Sequence, residues 1–160
     1  MDYLKEIKEF HAKSVEPYTG KPIGCSQDEI NALEKHFGYS LPEAYRQYLE
    51  WMGRDFKGIF VGSDWFIANV LDNTELLPEL LVENKIDYKL PEHYLVFFSH
   101  QGYMAAWFEL PKQDDDPMTY FFTEGKEVKP PSVDKKFTDA LFTDIQGLAS
   151  VLPRIHKMMK

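Results

Sequence analysis

Residues 26–53 read SQDEINALEKHFGYSLPEAYRQYLEWMG. Ser26 with Glu29, and Ser40 with Glu43, each have the spacing of a capping box. In that device a Ser oxygen and a Glu carboxylate reciprocally satisfy the exposed amides at a helix start. Gly38 stands where the first helix must stop, because glycine enters positive φ without a Cβ clash. Pro42 falls in the first turn of the second helix, where a missing amide costs nothing. Ile30, Leu33 and Phe37 share one face of the first helix; Tyr45, Tyr48, Leu49 and Met52 share one face of the second. The stretch predicts two short helices joined by a tight turn, each with an apolar face to bury.

Upstream, residues 2–13 have the pattern of an amphipathic helix with Leu4, Ile7 and Phe10 or His11 inside. Pro17, Gly20, Pro22 and Gly24 make residues 14–25 an irregular connection. Downstream the character changes. Ile59-Phe60-Val61 and Trp65-Phe66-Ile67 flank Gly62-Ser63-Asp64, which reads as a hairpin. Residues 73–85 are leucine-rich and helical, with the regular part starting near Leu77 because of Pro78. The apolar run 94–99 predicts a strand covered on both faces. Gln101-Gly102 then turns into 104–110, where Met104, Ala106, Phe108 and Leu110 face one way and Ala105, Trp107 and Glu109 the other. A loop at 111–117 precedes a strand at 118–123, and Glu124-Gly125 turns the chain toward Lys126-Glu127-Val128. Phe137, Leu141, Ile145, Leu148 and Leu152 mark a closing helix whose ends Gly147 and Pro153 weaken. The fold class is α+β: a mixed, mostly antiparallel sheet flanked by N-terminal and C-terminal helices, in one domain spanning 1–160.

A chain of 160 residues buries roughly 68–70% of its unfolded surface, enough for a core without disulfide or metal staples. With 18 basic and 26 acidic residues the formal net charge is −8. Such a surface repels nucleic acid and anionic membranes and attracts basic partners. The single cysteine, Cys25, has no internal disulfide partner, which fits a reducing compartment. Charges at Asp2, Lys5 and Glu6 occupy the place where a signal peptide needs its apolar stretch, and no apolar run approaches the ~18 residues of a membrane span. These features predict a cytoplasmic protein.

The chemistry-bearing residues form no recognised catalytic set. His11, His36, His93, His100 and His156 have no H-x-x-x-H pair and no second cysteine beside them, so no metal is expected. Cys25 precedes a helix start, a position that can activate a thiol, but no base adjoins it. Ser99 and His100 are neighbours, which on a strand sends them to opposite faces, wrong for a nucleophile and its base. Glycine-rich phosphate loops and G-x-S-x-G are lacking, so neither catalysis nor a cofactor is expected. Asp114-Asp115-Asp116 lacks the staggering of a cation loop; it is either a solvated loop or an acidic patch. With Trp107 and Glu109, on the strand face opposite Phe108, these aspartates are the candidate partner-binding residues.

With that element order, 26–53 resembles the N-terminal signature of the SUKH superfamily, which takes in bacterial immunity proteins and fungal regulators of cell-wall assembly. The matching residues are Glu29, Ile30, Leu33, Glu34, Phe37, Gly38, Leu41, Pro42, Tyr45, Arg46, Leu49 and Gly53, and compatible segments extend to about residue 148. The resemblance implies a mixed sheet with flanking helices, no catalytic apparatus and a function performed by binding. Bacterial members commonly neutralise toxin domains, many of them nucleases, so a basic toxin domain is the implied partner. The alternative is a cytoplasmic adaptor like the fungal members. Oligomeric state stays open.

Overall fold

Both punctuation marks at 26–53 shape the fold, one of them differently from its spacing. In the computed structural model, which describes residues 1–54, 63–125 and 127–158, helix α3 spans Gln27–Phe37 behind an intact capping box. Ser26 Oγ accepts from the Glu29 amide at 3.2 Å, and Glu29 Oε1 accepts from the Ser26 amide at 3.0 Å. Gly38 ends the helix in the left-handed region at φ 79°. Helix α4, Glu43–Met52, has no second box: its N-cap is Pro42, with extended ψ of 139°, and no side chain caps it. That places Ser40 two residues outside the cap and out of reach of the first turn. Other groups take over. Glu34 accepts the Leu41 amide at 3.0 Å and pairs with Arg46, and the Ala44 amide donates to the Asp115 carbonyl at 2.9 Å.

Helices α1 (Lys5–Ser14) and α2 (Glu16–Thr19) precede this pair. Leu4, Ile7 and His11 are buried as the periodicity requires, and the connection expected to be irregular holds the short α2. After α4, strand β1 is Ser63–Asp64 and helix α5 runs Ile67–Glu83. Ile59 to Gly62, half of the expected hairpin, lie outside the described residues. Its other half is corrected: Trp65 follows β1 as a fully buried ring, and Ile67 opens α5. α5 also starts earlier than Pro78 suggested. Proline leaves the carbonyl four residues back without its helical donor, and the Tyr94 hydroxyl donates to that Thr74 carbonyl at 3.4 Å.

Among the described residues, strands β2 (Tyr94–His100), β3 (Met104–Glu109), β4 (Met118–Thr123) and β5 (Ser132–Lys136) join β1 in a five-stranded sheet in the order β1-β2-β3-β4-β5. Among the described residues every pairing is antiparallel. The strand that pairs with β4 beyond the Glu124-Gly125 turn, Ser132–Lys136, was not among the expected elements. Pro130 and Pro131 lack the amides that ladder pairing needs, so pairing starts only after them. Helix α6, Phe137–Met158, runs through both Gly147 and Pro153.

The alternation in β3 divides the core. Ala106, Phe108 and Leu110 join Leu95, Phe97, Tyr45, Tyr48 and Phe137 in the larger cluster, beneath α1, α3, α4 and α6. Ala105 and Trp107 join Val96, Phe122, Leu77, Leu80 and Leu81 beneath α5. Helices therefore cover both sheet faces. Within 26–53, Ile30, Leu41, Tyr45 and Leu49 are wholly buried and Leu33 nearly so, while Phe37 packs at the edge of the same cluster. At Gly53 an added Cβ would meet Leu49 Cα at 2.7 Å and Cys25 Sγ at 3.0 Å.

Candidate functional site

Glu109 closes β3, and the three aspartates follow within eight residues, but the fold gives each a separate task. Asp116 uses both oxygens on the start of α6. Oδ1 accepts from the Thr138 amide at 3.0 Å and Oδ2 from its hydroxyl at 2.6 Å, a remote helix cap. Asp115 takes Lys112 Nζ at 2.7 Å; that hydrogen bond, aided by the lysine's charge, holds its carboxyl below the usual range. Asp114 accepts the Asp116 amide at 3.2 Å. The run is a knitted turn rather than a loose acidic string.

Glu109, Asp114 and Asp116 come together around a cleft of about 310 Å³, with Met118, Tyr120 and Lys136 on its other sides. Burial raises the Tyr120 hydroxyl, and the Glu109 charge and hydrogen bond raise it further. Asp115 does not line this cleft. Trp107 does not either: the strand face that the sequence left open is covered, so this candidate is a core aromatic rather than an exposed one. It has 0% exposure and stacks under Tyr120 at 6.1 Å and 15°. The reason is tertiary: α5 lays Leu77, Leu80 and Leu81 over that face of the sheet.

Three features escaped the sequence reading. Met118 and Val133 leave apolar surface on β4 and β5, 45% and 58% exposed. Ser63 Oγ and His100 Nδ1 meet at 2.7 Å across the β1–β2 register. No carboxylate of a described residue lies in ion-pair range of that imidazole, so among the described residues the pair has no third group of the kind that orients a catalytic base.

The third feature is α5 itself. Its 17 residues carry Asp72, Glu75, Glu79 and Glu83 and no basic residue. These positions share one outward face, all four are exposed, and none forms an ion pair with a described residue. Like charges at i, i+4, as in Glu75/Glu79 and Glu79/Glu83, each cost a helix roughly 0.2–0.5 kcal/mol, and Glu83 also opposes the helix dipole. Leu71, Leu76 and Val82 are exposed beside them. The signal was present in the sequence as acids at four-residue intervals without a cation.

Other chemistry is quiet. Burial pushes the Cys25 thiol up to about 11, against the pull of Arg54, which leaves it protonated at neutral pH. Among the described residues no group of three or more His, Cys, Asp or Glu is placed to hold a metal, and no helix is long and apolar enough to cross a membrane. The family model described as SMI1 / KNR4 family (SUKH-1) matches residues 24–141. No curated protein matches the chain.

Proposed function

The chain belongs to the SMI1/KNR4 family (SUKH-1), and from that membership we propose that it is a non-catalytic protein-binding module, an immunity protein that neutralises a cognate bacterial toxin. Members of this family bind protein partners, toxins among them. The observation that carries the reading for this chain is the uncompensated acidic face of α5 with its exposed leucines and valine. Acids that serve only solubility are commonly interleaved with cations at i, i+4; here the repulsion is left for a partner's cations to relieve.

The partner is a basic toxin domain, such as a nuclease that grips phosphates, and neutralisation is occlusion of its basic surface. Glu109, Asp114 and Asp115 extend the acidic surface at the end of β3 and in the following loop. Trp107 contributes from beneath by holding Tyr120. The test is growth rescue. A frame encoded beside this gene is expressed alone and then together with the chain. Arrest by the first and growth in the second, with co-purification of both products, supports the reading. Neighbours that are harmless when expressed favour the adaptor alternative and overturn the immunity assignment.

A further inference from the structure

On the sheet face opposite α5, a cavity of about 340 Å³ opens between α6 and strands β2–β5. Trp65, Phe98 and Phe121 supply its aromatic walls, and Asp144 of α6 stands in it. Asp134 and Thr143, also in its lining, are exposed. A carboxylate against aromatic rings is an expensive choice. Trp65 Nε1 donates to Asp144 Oδ2 at 3.0 Å, and Oδ1 has no hydrogen bond among the described residues. Burial accordingly drives the carboxyl upward, opposed by the indole hydrogen bond and by Lys135 and His100 at longer range.

Holding the Trp65 indole does not require a charge. Asparagine offers the same acceptor without the desolvation cost, and α6 already buries Leu141, Ile145, Leu148 and Leu152 on its inner side. Charge in this setting is useful to something positive. On the adjoining strand the Lys135 charge reaches Asp144, but the two form no ion pair. The lining holds two carboxylates, Asp134 and Asp144, and one ammonium, Lys135, a formal excess of one negative charge among aromatic rings.

Its volume is at the lower end of ligand pockets, roughly 300–1,000 Å³, which suits one side chain better than a peptide. Arginine fits best: its guanidinium is planar, weakly hydrated, stacks on aromatic faces and forks onto a carboxylate. We propose that this cavity receives a single arginine side chain of the partner protein, its stem between the rings and its guanidinium on Asp144. The existence of that partner rests on the function proposed above; the cavity's chemistry does not.

The test is an NMR titration of the full chain with N-acetyl-arginine-N-methylamide, beside the uncharged citrulline analogue. Saturable shifts of the Trp65 indole proton and the Ala140 methyl are expected from the arginine probe, with a Kd on the order of 1–10 mM for one side chain's contacts. Asp144→Asn, which keeps the acceptor for Trp65, is expected to weaken binding about tenfold, the scale of a lost charge-assisted hydrogen bond. Ala140→Leu, which fills the cavity from α6, is expected to abolish it. Equal response to both probes, unchanged affinity in Asp144→Asn, or no saturation overturns the proposal. If the chain neutralises a toxin yet ignores the probe, only the cavity assignment fails. If it takes the probe but no neighbouring product is toxic, only the immunity reading fails.

Discussion

Single residues carry tight geometry and stored cost in this domain. At Gly24 an added Cβ would fall 1.7 Å from the Glu50 carbonyl oxygen, because the Cys25 amide donates to Leu49 at 2.7 Å and draws the connection onto the end of α4. Gly24→Ala is expected to destabilise by about 1–3 kcal/mol as an overpacked contact. Gly147, inside α6 with nothing within 4 Å of an added Cβ, gives the opposite sign: Gly147→Ala gains roughly 0.5–1 kcal/mol of helix stability. Thermal melts of the two variants would separate the effects. Asp144 adds a pH signature. Its folded carboxyl holds a proton to higher pH than the unfolded one, chiefly through burial, so its charge is a liability that is absent in acid and grows as pH rises through the folded value. Asp144→Asn is therefore expected to be more stable than the parent at neutral pH, the gap closing in acid. Urea denaturation at the two pH values checks this, and a variant less stable at neutral pH would refute it.

At the scale of elements, caps and edges separate what was legible from what was not. Ser26→Ala should cost about 0.5–2 kcal/mol, the usual worth of an N-cap. Ser40→Ala should stay within about 0.5 kcal/mol, because Ser40 caps nothing and is exposed. Equal losses measured by chemical denaturation would restore the second capping box. The alternation of β3 was readable because successive side chains meet two different apolar clusters, and the α6 stripe because its buried residues recur every three or four positions. The start of α5 was not: Phe66 stands at its N-cap and no side chain caps it. Strand β5 was missed for a different reason. Ser132–Lys136 is largely exposed and charged, the composition that protects an edge strand from unwanted pairing, so it resembles a loop until β4 supplies its partner.

Across the whole molecule the charge is unevenly placed. The formal net charge is −8, and α5 alone contributes four acids and no cation. Glu109 and the aspartates were found by charge, and Glu109, Asp114 and Asp116 do share a cleft. The burial of Trp107 under α5 and the cavity around Asp144 depend on contacts between elements far apart in the chain, which no local pattern encodes. An acidic face steers a basic partner at long range, so association should slow as salt is added, within the roughly 10–10³-fold range of electrostatic steering. The charge-removing change Glu75→Gln/Glu79→Gln should flatten that salt dependence while leaving the fold intact. The most direct measurement is a titration of the purified toxic neighbour's activity with this chain. Neutralisation by occupation predicts a linear loss that ends at equal molar amounts. Complete loss at a small fraction of an equivalent would reveal a catalyst, and undiminished activity at any ratio would contradict the immunity reading outright.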